Sequence, residues 1–196
     1  MPATGDGLER GGERGDAVVD GGGDAGGWLS GRCCCLIDLQ QDSRRDCFPM
    51  ERLFERHVEV LLGKQLPSGA KLLPQRSRHS LCTHRDEPMF RLKPDLLLEH
   101  RGRTWVLDSK WKLIDAAARE RNYGLSQADF YQLYAYGQTH LQGQGEMALI
   151  YPRTERFREP LKPFAFSEQL RLWVLPFDLL AGELLGGERV GLPLGC

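Results

Sequence analysis

The chain has 196 residues, 41% hydrophobic and 27% charged, with a formal net charge of -1. Those values suit one globular domain of ordinary size, and no apolar run approaches the roughly 18 residues that a membrane span needs. The N-terminus shows no apolar signal core, so secretion is not expected.

Residues 1–46 stand apart from the rest. Eleven of the 23 glycines fall there among Asp, Glu and Arg, with 5 basic and 9 acidic residues. Such a stretch offers too little apolar surface to offset its ordering entropy and is expected to be disordered. Residues 47–196 keep 21 of the 26 basic and 18 of the 27 acidic residues, so the expected domain is mildly basic. Six cysteines, Cys33, Cys34, Cys35, Cys47, Cys82 and Cys196, never take the C-x-x-C spacing of a zinc site. Reduced thiols in a cytoplasmic protein are the expectation.

From Pro49 the pattern sharpens. Met50, Leu53, Phe54, His57, Val58, Leu61 and Leu62 recur at helical spacing, predicting an amphipathic helix that "LPSG" at 66–69 ends. A strand is expected around 71–77. "MFRLKPDLLLEH" and "RTWVLDSKWKLI" read as two strands about a tight turn at Arg101-Gly102. "SQADFYQLYAYGQTHL" predicts a second helix, with Ser126 as N-cap and Asp129 completing a capping-box-like start. "MALIYP" at 147–152 and "LRLWVLPF" at 170–177 predict two further strands. The order helix, three strands, helix, strand implies an α/β sandwich around one mixed sheet.

Asp108 and Lys110, in "VLDSKWK", interrupt an otherwise apolar strand. The acidic-x-Lys triplet alone is uninformative in a chain with 27 acidic residues and 6 lysines. Context makes it more informative. Residues two apart on a strand share a face, so Asp108 and Lys110 point the same way. A two- or four-residue turn at Arg101-Gly102 sets Asp95 directly across from Asp108. Opposed carboxylates about 5 Å apart at Cβ repel, whereas a divalent cation would reverse the sign of that interaction, since hard oxygens can share one Mg²⁺. An ammonium beside such an ion can orient water and offset charge on a phosphate. The competing reading is an exposed strand end with three unrelated charges.

"KPD" at 93–95 followed by "VLDSKW" at 106–111 resembles the PD-(D/E)xK nuclease superfamily. "LFERHVE", "LKPDLLL", "VLDSKWK", "YGLSQADFYQLYAYG" and "LIYPRTE" together resemble the C-terminal nuclease domain of the McrC family, over residues 48–178. That family supplies the endonuclease subunit of McrBC modified-cytosine restriction. The resemblance implies a restriction-endonuclease-like core and Mg²⁺- or Mn²⁺-dependent hydrolysis of double-stranded DNA. It also implies a McrB-like GTPase motor as partner; no Walker A pattern appears in this chain. Asp95 and Asp108 match the metal-binding acids, and Lys110 matches the catalytic lysine. Glu55 is similar to the helical glutamate that often completes such sites, with Glu51 its nearest competitor. Gln132 and Tyr136 share a helix face at i and i+4 and match a pair that lies beside the acidic cluster in RecB-like nucleases. Asp129 is assigned to capping, Tyr131 and Tyr134 to packing, and Trp105 and Trp111 to core or sheet edge. Arg76, Arg78, Arg91, Lys93, Arg101, Arg103, Lys112, Arg119 and Arg121 are candidates for a sequence-independent grip on phosphates.

The family's N-terminal domain, which engages the motor, is replaced here by the glycine-rich segment. Met50, just ahead of the first helix, is a second candidate start. The alternative function is a non-catalytic DNA-binding or assembly subunit with a vestigial site.

Overall fold

The structure is a computed structural model and describes residues 49–75 and 79–195. The 1–46 segment, and every cysteine except the exposed Cys82, lie outside the described residues.

Helix α1, Met50–Gln65, buries Phe54, Val58 and Leu62, the apolar stripe expected from its spacing. Strand β1 is Lys71–Pro74, shorter than the expected 71–77, because Gln75 turns the backbone to φ 43°. Then comes a departure from expectation. The single strand read through "MFRLKPDLLLEH" is two strands in two different sheets. Strands β2, His79–His84, and β3, Glu87–Leu92, form a separate two-stranded sheet. Strand β4, Leu96–His100, joins the main sheet. Between β3 and β4, Pro94 has no N–H for a ladder and biases Lys93 toward extended backbone, so pairing breaks there.

Strand β5, Arg103–Ser109, pairs antiparallel with β4 through the two-residue Arg101-Gly102 turn, both at positive φ. The register runs from His100↔Arg103 to Leu96↔Leu107, as expected from that turn. β5 ends at Ser109 rather than continuing through "KWKLI", although Lys110 N–H still donates to Ile150 O at 2.9 Å. A 3₁₀ segment at Arg119–Gly124 leads to helix α2, Gln127–His140. Strand β6, Gly145–Pro152, pairs parallel with β5, and β8, Leu170–Asp178, pairs parallel with β6. The short strands β7, Phe164–Ala165, and β9, Glu183–Leu184, both pair antiparallel with β8.

The main sheet is thus mixed, in the order β1-β4-β5-β6-β8-β7. Alternate residues feed two cores. Leu96, Leu98, Trp105, Leu107, Ile150 and Phe177 pack on the α1 side. Leu97, Val106, Met147, Leu149, Leu172 and Val174 pack with Leu133 and Tyr136 of α2 on the other. Gly137 lets α2 approach closely: an added Cβ would stand 2.8 Å from Leu170 Cδ2 and 3.0 Å from Met147 Sδ. The expected helix, three strands, helix, strand order holds for the main sheet, with the β2–β3 hairpin inserted into it.

Candidate active site

The site forms where β5 leaves the sheet. Side-chain alternation puts Asp108 on the same face as Val106, beneath α2, and leaves it only 1% exposed. Burying a carboxylate there penalises its charged form. Burial, then the neighbouring Asp95 charge, push Asp108 up to about 7 against the opposing pull of Lys110.

Asp95 stands one residue beyond the paired ladder, so it does not form a backbone pair with Asp108. Its Oδ2 instead accepts hydrogen bonds from Ser109 N–H at 2.8 Å and Ser109 Oγ at 3.0 Å. Burial pushes Asp95 upward, the Ser109 backbone donor opposes this, and the Glu55 charge adds to the rise. Glu55 is therefore within electrostatic reach of Asp95, and Gln75 Nε2 donates to its Oε1 at 2.6 Å. Glu51 is exposed.

Lys110 Nζ lies 2.5 Å from Asp108 Oδ2, though that oxygen makes no well-directed hydrogen bond. Burial alone would lower the Lys110 pKa, but Asp108, Asp95 and Asp129 together outweigh it and raise it. The lysine is an ammonium at neutral pH. Gln132 Oε1 is 3.4 Å from Nζ, and Gln132 Nε2 donates to Tyr136 Oη at 2.7 Å. Tyr136 Oη donates in turn to Lys93 O at 3.0 Å, tying α2 to the break between β3 and β4.

The structure thus brings Asp95, Asp108, Lys110, Gln132 and Tyr136 together, with Glu55 on the α1 side. Four residues were missed or misassigned from sequence. Ser109, between the two charged positions, orients Asp95; Gln75 holds Glu55. Asp129 is not a cap, since no side-chain cap bond forms at Ser126, and its charge acts on Asp108 and Lys110. Tyr151 is fully buried on the same face of β6. Of the two tyrosines expected to pack, Tyr134 sets its ring 5.5 Å from Phe166 while remaining 47% exposed, and Tyr131 is 66% exposed. Trp105 is a core residue and Trp111 packs half-buried against the same core, within the expected core or sheet-edge role.

The phosphate candidates separate. Arg76 and Arg78 lie outside the described residues. Arg101 and Arg103 sit at the turn end of β5, about 20 Å of strand away from Asp108, and Arg103 covers the Trp105 ring at 4.9 Å. Lys93 and Lys112 are exposed beside the site in the chain, and Arg91, Arg119 and Arg121 are exposed farther along it.

Among the described residues, no three His, Cys, Asp or Glu side chains stand ready as a metal-holding group. In kind, however, the donors fit a hard divalent cation. A buried carboxylate, Asp108, and a half-buried one, Asp95, repel each other, and Lys110 is the cation beside them.

These features define a mixed α/β protein compatible with a restriction-endonuclease-like fold, with carboxylates and a lysine gathered at the end of a central strand. Residues 47–152 match the family described as McrBC 5-methylcytosine restriction system component. The chain belongs to that family. Its fold is similar to a chain in the tetradecameric assembly of Thermococcus gammatolerans McrB AAA+ hexamers with bound McrC, at 20% identity and a TM-score of 0.51. That likeness covers 66% of this chain and 28% of the other. A comparison with curated proteins found no match. Among the described residues, no helix is long and apolar enough to cross a membrane.

Proposed function

We propose that this chain is the nuclease component of a McrBC-type restriction system: a cytoplasmic, McrC-like, PD-(D/E)xK endodeoxyribonuclease acting on double-stranded DNA with a McrB-like GTPase partner. One observation carries the reading. Asp108 is almost completely buried at a strand end, beside the half-buried carboxylate of Asp95, with an ammonium 2.5 Å away. An arrangement that costs so much desolvation is characteristic of functional sites.

Asp95 and Asp108, with Glu55, would hold Mg²⁺ or Mn²⁺. When bound, the ion supplies Lewis-acid charge at the scissile phosphate. Ser109 fixes the direction in which Asp95 offers its oxygens. Lys110 orients the attacking water and offsets developing negative charge. Gln132 and Tyr136 hold the α2 wall and, through Lys93 O, the approach to Asp95.

The test is cleavage of modified and unmodified DNA with Mg²⁺ or Mn²⁺, with and without a cognate GTPase subunit, by the wild type and Asp108→Ala. Loss of cleavage in a folded Asp108→Ala supports the assignment; equal cleavage by both proteins overturns it. The second reading is a non-catalytic DNA-binding or assembly subunit with a vestigial site. Calorimetry that finds no binding at millimolar metal selects that one.

A further inference from the structure

Phe90, on β3, sits in an unusual place for a large apolar side chain. It is 68% exposed with φ at 55°, a backbone region that bulky residues rarely adopt. Leu81, across the hairpin from it, is 56% exposed. The β2–β3 ladder pairs Ser80 with Arg91 and Cys82 with Met89, but skips Leu81 and Phe90 between them. Backbone strain and two apolar side chains in solvent therefore coincide at one level of an otherwise regularly paired ribbon. Burial offsets neither, and strain kept at an exposed position is a mark of a working surface.

The foot of this hairpin, by contrast, is held against the body beside the candidate active site. His79 meets His140 of α2 edge-on, at 4.6 Å between ring centroids. Leu92 packs on the α2-side core, and Tyr136 Oη donates to Lys93 O at 3.0 Å. Past the buried Pro94 the chain reaches Asp95. Phe90 is five residues from Asp95, so at most about 18 Å of chain separates them. At about 3.4 Å of rise per nucleotide this is about five base pairs, or half a turn of duplex. Arg91 and Lys93 lie exposed along that stretch, whereas the acids of the hairpin, Asp86 and Glu87, are confined to its far end. A ribbon of two strands has a width that a DNA groove admits. Apolar side chains carried into a groove wedge between base steps and unstack them. A protein docked on the same strand would have to desolvate Arg91 and Lys93, while a phosphate backbone neutralises them.

We propose that the β2–β3 hairpin is a DNA-inserting element. Phe90, backed by Leu81, wedges into a base step of the duplex within about five base pairs of the scissile phosphate. Arg91 and Lys93 follow the phosphate backbone from that step toward Asp95. The inference rests on the nuclease reading above and adds to it how the duplex is placed and held. A wedge of this kind selects for ease of unstacking rather than for base edges, and so favours flexible pyrimidine–purine steps.

The test mixes the full chain, free of divalent metal so that no cleavage intervenes, with short duplexes carrying 2-aminopurine. This base brightens when unstacked and is walked along the duplex one position at a time. Wild type is expected to brighten the probe at one step. Phe90→Ala should lose that brightening and bind at least about fivefold more weakly. Arg91→Ala should keep the brightening while lowering the slope of log affinity against log salt by about 0.9. Each variant is checked for a cooperative thermal transition, and Leu81→Ala, with a partial loss of brightening, stands in if Phe90→Ala fails to fold. Brightening that survives Phe90→Ala overturns the proposal, as does a wild type that binds duplex and brightens no position. An unchanged salt slope for Arg91→Ala overturns the backbone contact. A dimer that dissociates in Phe90→Ala, with DNA binding unchanged, overturns the proposal and assigns the surface to a second copy. No duplex binding by the wild type instead overturns the DNA reading itself, a separate and recognisable outcome.

Discussion

The β2–β3 and β4–β5 hairpins both turn through two residues at positive φ, Arg85-Asp86 in one and Arg101-Gly102 in the other. That geometry matches the right-handed twist of the flanking strands. From there they diverge. β4 and β5 have partners on their outer edges, β1 and β6, and helices over both faces. Among the described residues, β2 and β3 have only each other as strand partners, and Leu81, Met89 and Phe90 stand exposed on them. A turn can specify a hairpin locally, but burial comes from the strands and helices added around it. The difference also decides where chemistry can reside. Only the enclosed hairpin provides a strand end dry enough to perturb a carboxylate, and rigid enough to keep Asp95 within reach of Ser109.

The widest contrast between them is energetic. Leu107, fully buried on β5, replaced by Ala should cost about 2–5 kcal/mol. Leu81→Ala on β2, where the side chain is 56% exposed, should stay within about 0.5 kcal/mol. Urea unfolding of both variants measures the gap. Similar losses would mean that the outer hairpin is packed along its length and not only at its base, where His79 meets His140 of α2 at 4.6 Å between ring centroids.

Asp108 sharpens the comparison through pH. Burial and the Asp95 charge push this carboxyl up to about 7 in the folded chain, while the unfolded chain ionises it near its ordinary 3.8. Between those values the folded state binds more protons, so the Asp108 contribution to stability falls as pH rises. The shift sets a ceiling of about 4 kcal/mol on the loss. His140 works the other way. Burial, with the neighbouring His79, lowers it to about 4, so stability recovers as pH rises toward its ordinary 6.5. Subtracting the pH profile of Asp108→Asn from that of the wild type isolates the carboxylate. Metal-free protein should show a falling difference from pH 4 to 7, and Mg²⁺ or Mn²⁺ should flatten it. A flat difference without metal would mean that Asp108 is not held neutral.

How far the sequence revealed this site follows from the same contrast. The Arg101-Gly102 turn and strand alternation were enough to fix the β4–β5 register, and with it the approach of Asp95 to the β5 end. The outer hairpin was hidden because Met89–Leu92 reads as a plausible extension of Leu96–His100. Only the sheet assignment shows that Lys93-Pro94 separates two strands. Asp129 was obscured by a competing local explanation: three residues after Ser126, it satisfies a capping pattern that the folded chain does not use. Ser109 carried no signal, since its service to Asp95 depends on a residue fourteen positions away.

Helix α2 offers a subtler way to disturb the enclosed side. A Cβ at Gly137 would meet Leu170 and Met147 at 3.0 Å or less. Crowding of this kind costs about 1–3 kcal/mol, while replacing a mid-helix glycine by alanine returns about 1 kcal/mol. Gly137→Ala should therefore lose about 1 kcal/mol net. By tilting α2 it should also weaken the Tyr136-to-Lys93 bond, so metal affinity should fall more than stability does. A loss of stability with unchanged metal affinity would separate α2 packing from the site.

The smallest effect tests the outer hairpin itself. Phe90 sits at φ 55° and is 68% exposed, an unfavourable backbone region for a bulky residue. Left-handed backbone costs a non-glycine residue about 1–2 kcal/mol, whereas glycine loses about 0.4–1 kcal/mol more unfolded-chain entropy on folding. With little packing to forfeit, Phe90→Gly should stabilise the chain by about 0.5 kcal/mol, measured as a shift in the urea midpoint at constant slope. Such a gain would mean that the aromatic ring is kept against local stability, as strained exposed residues at working surfaces often are. A loss above about 1 kcal/mol would instead show that Phe90 packs when the chain is in solution, and the contrast between the two hairpins would narrow.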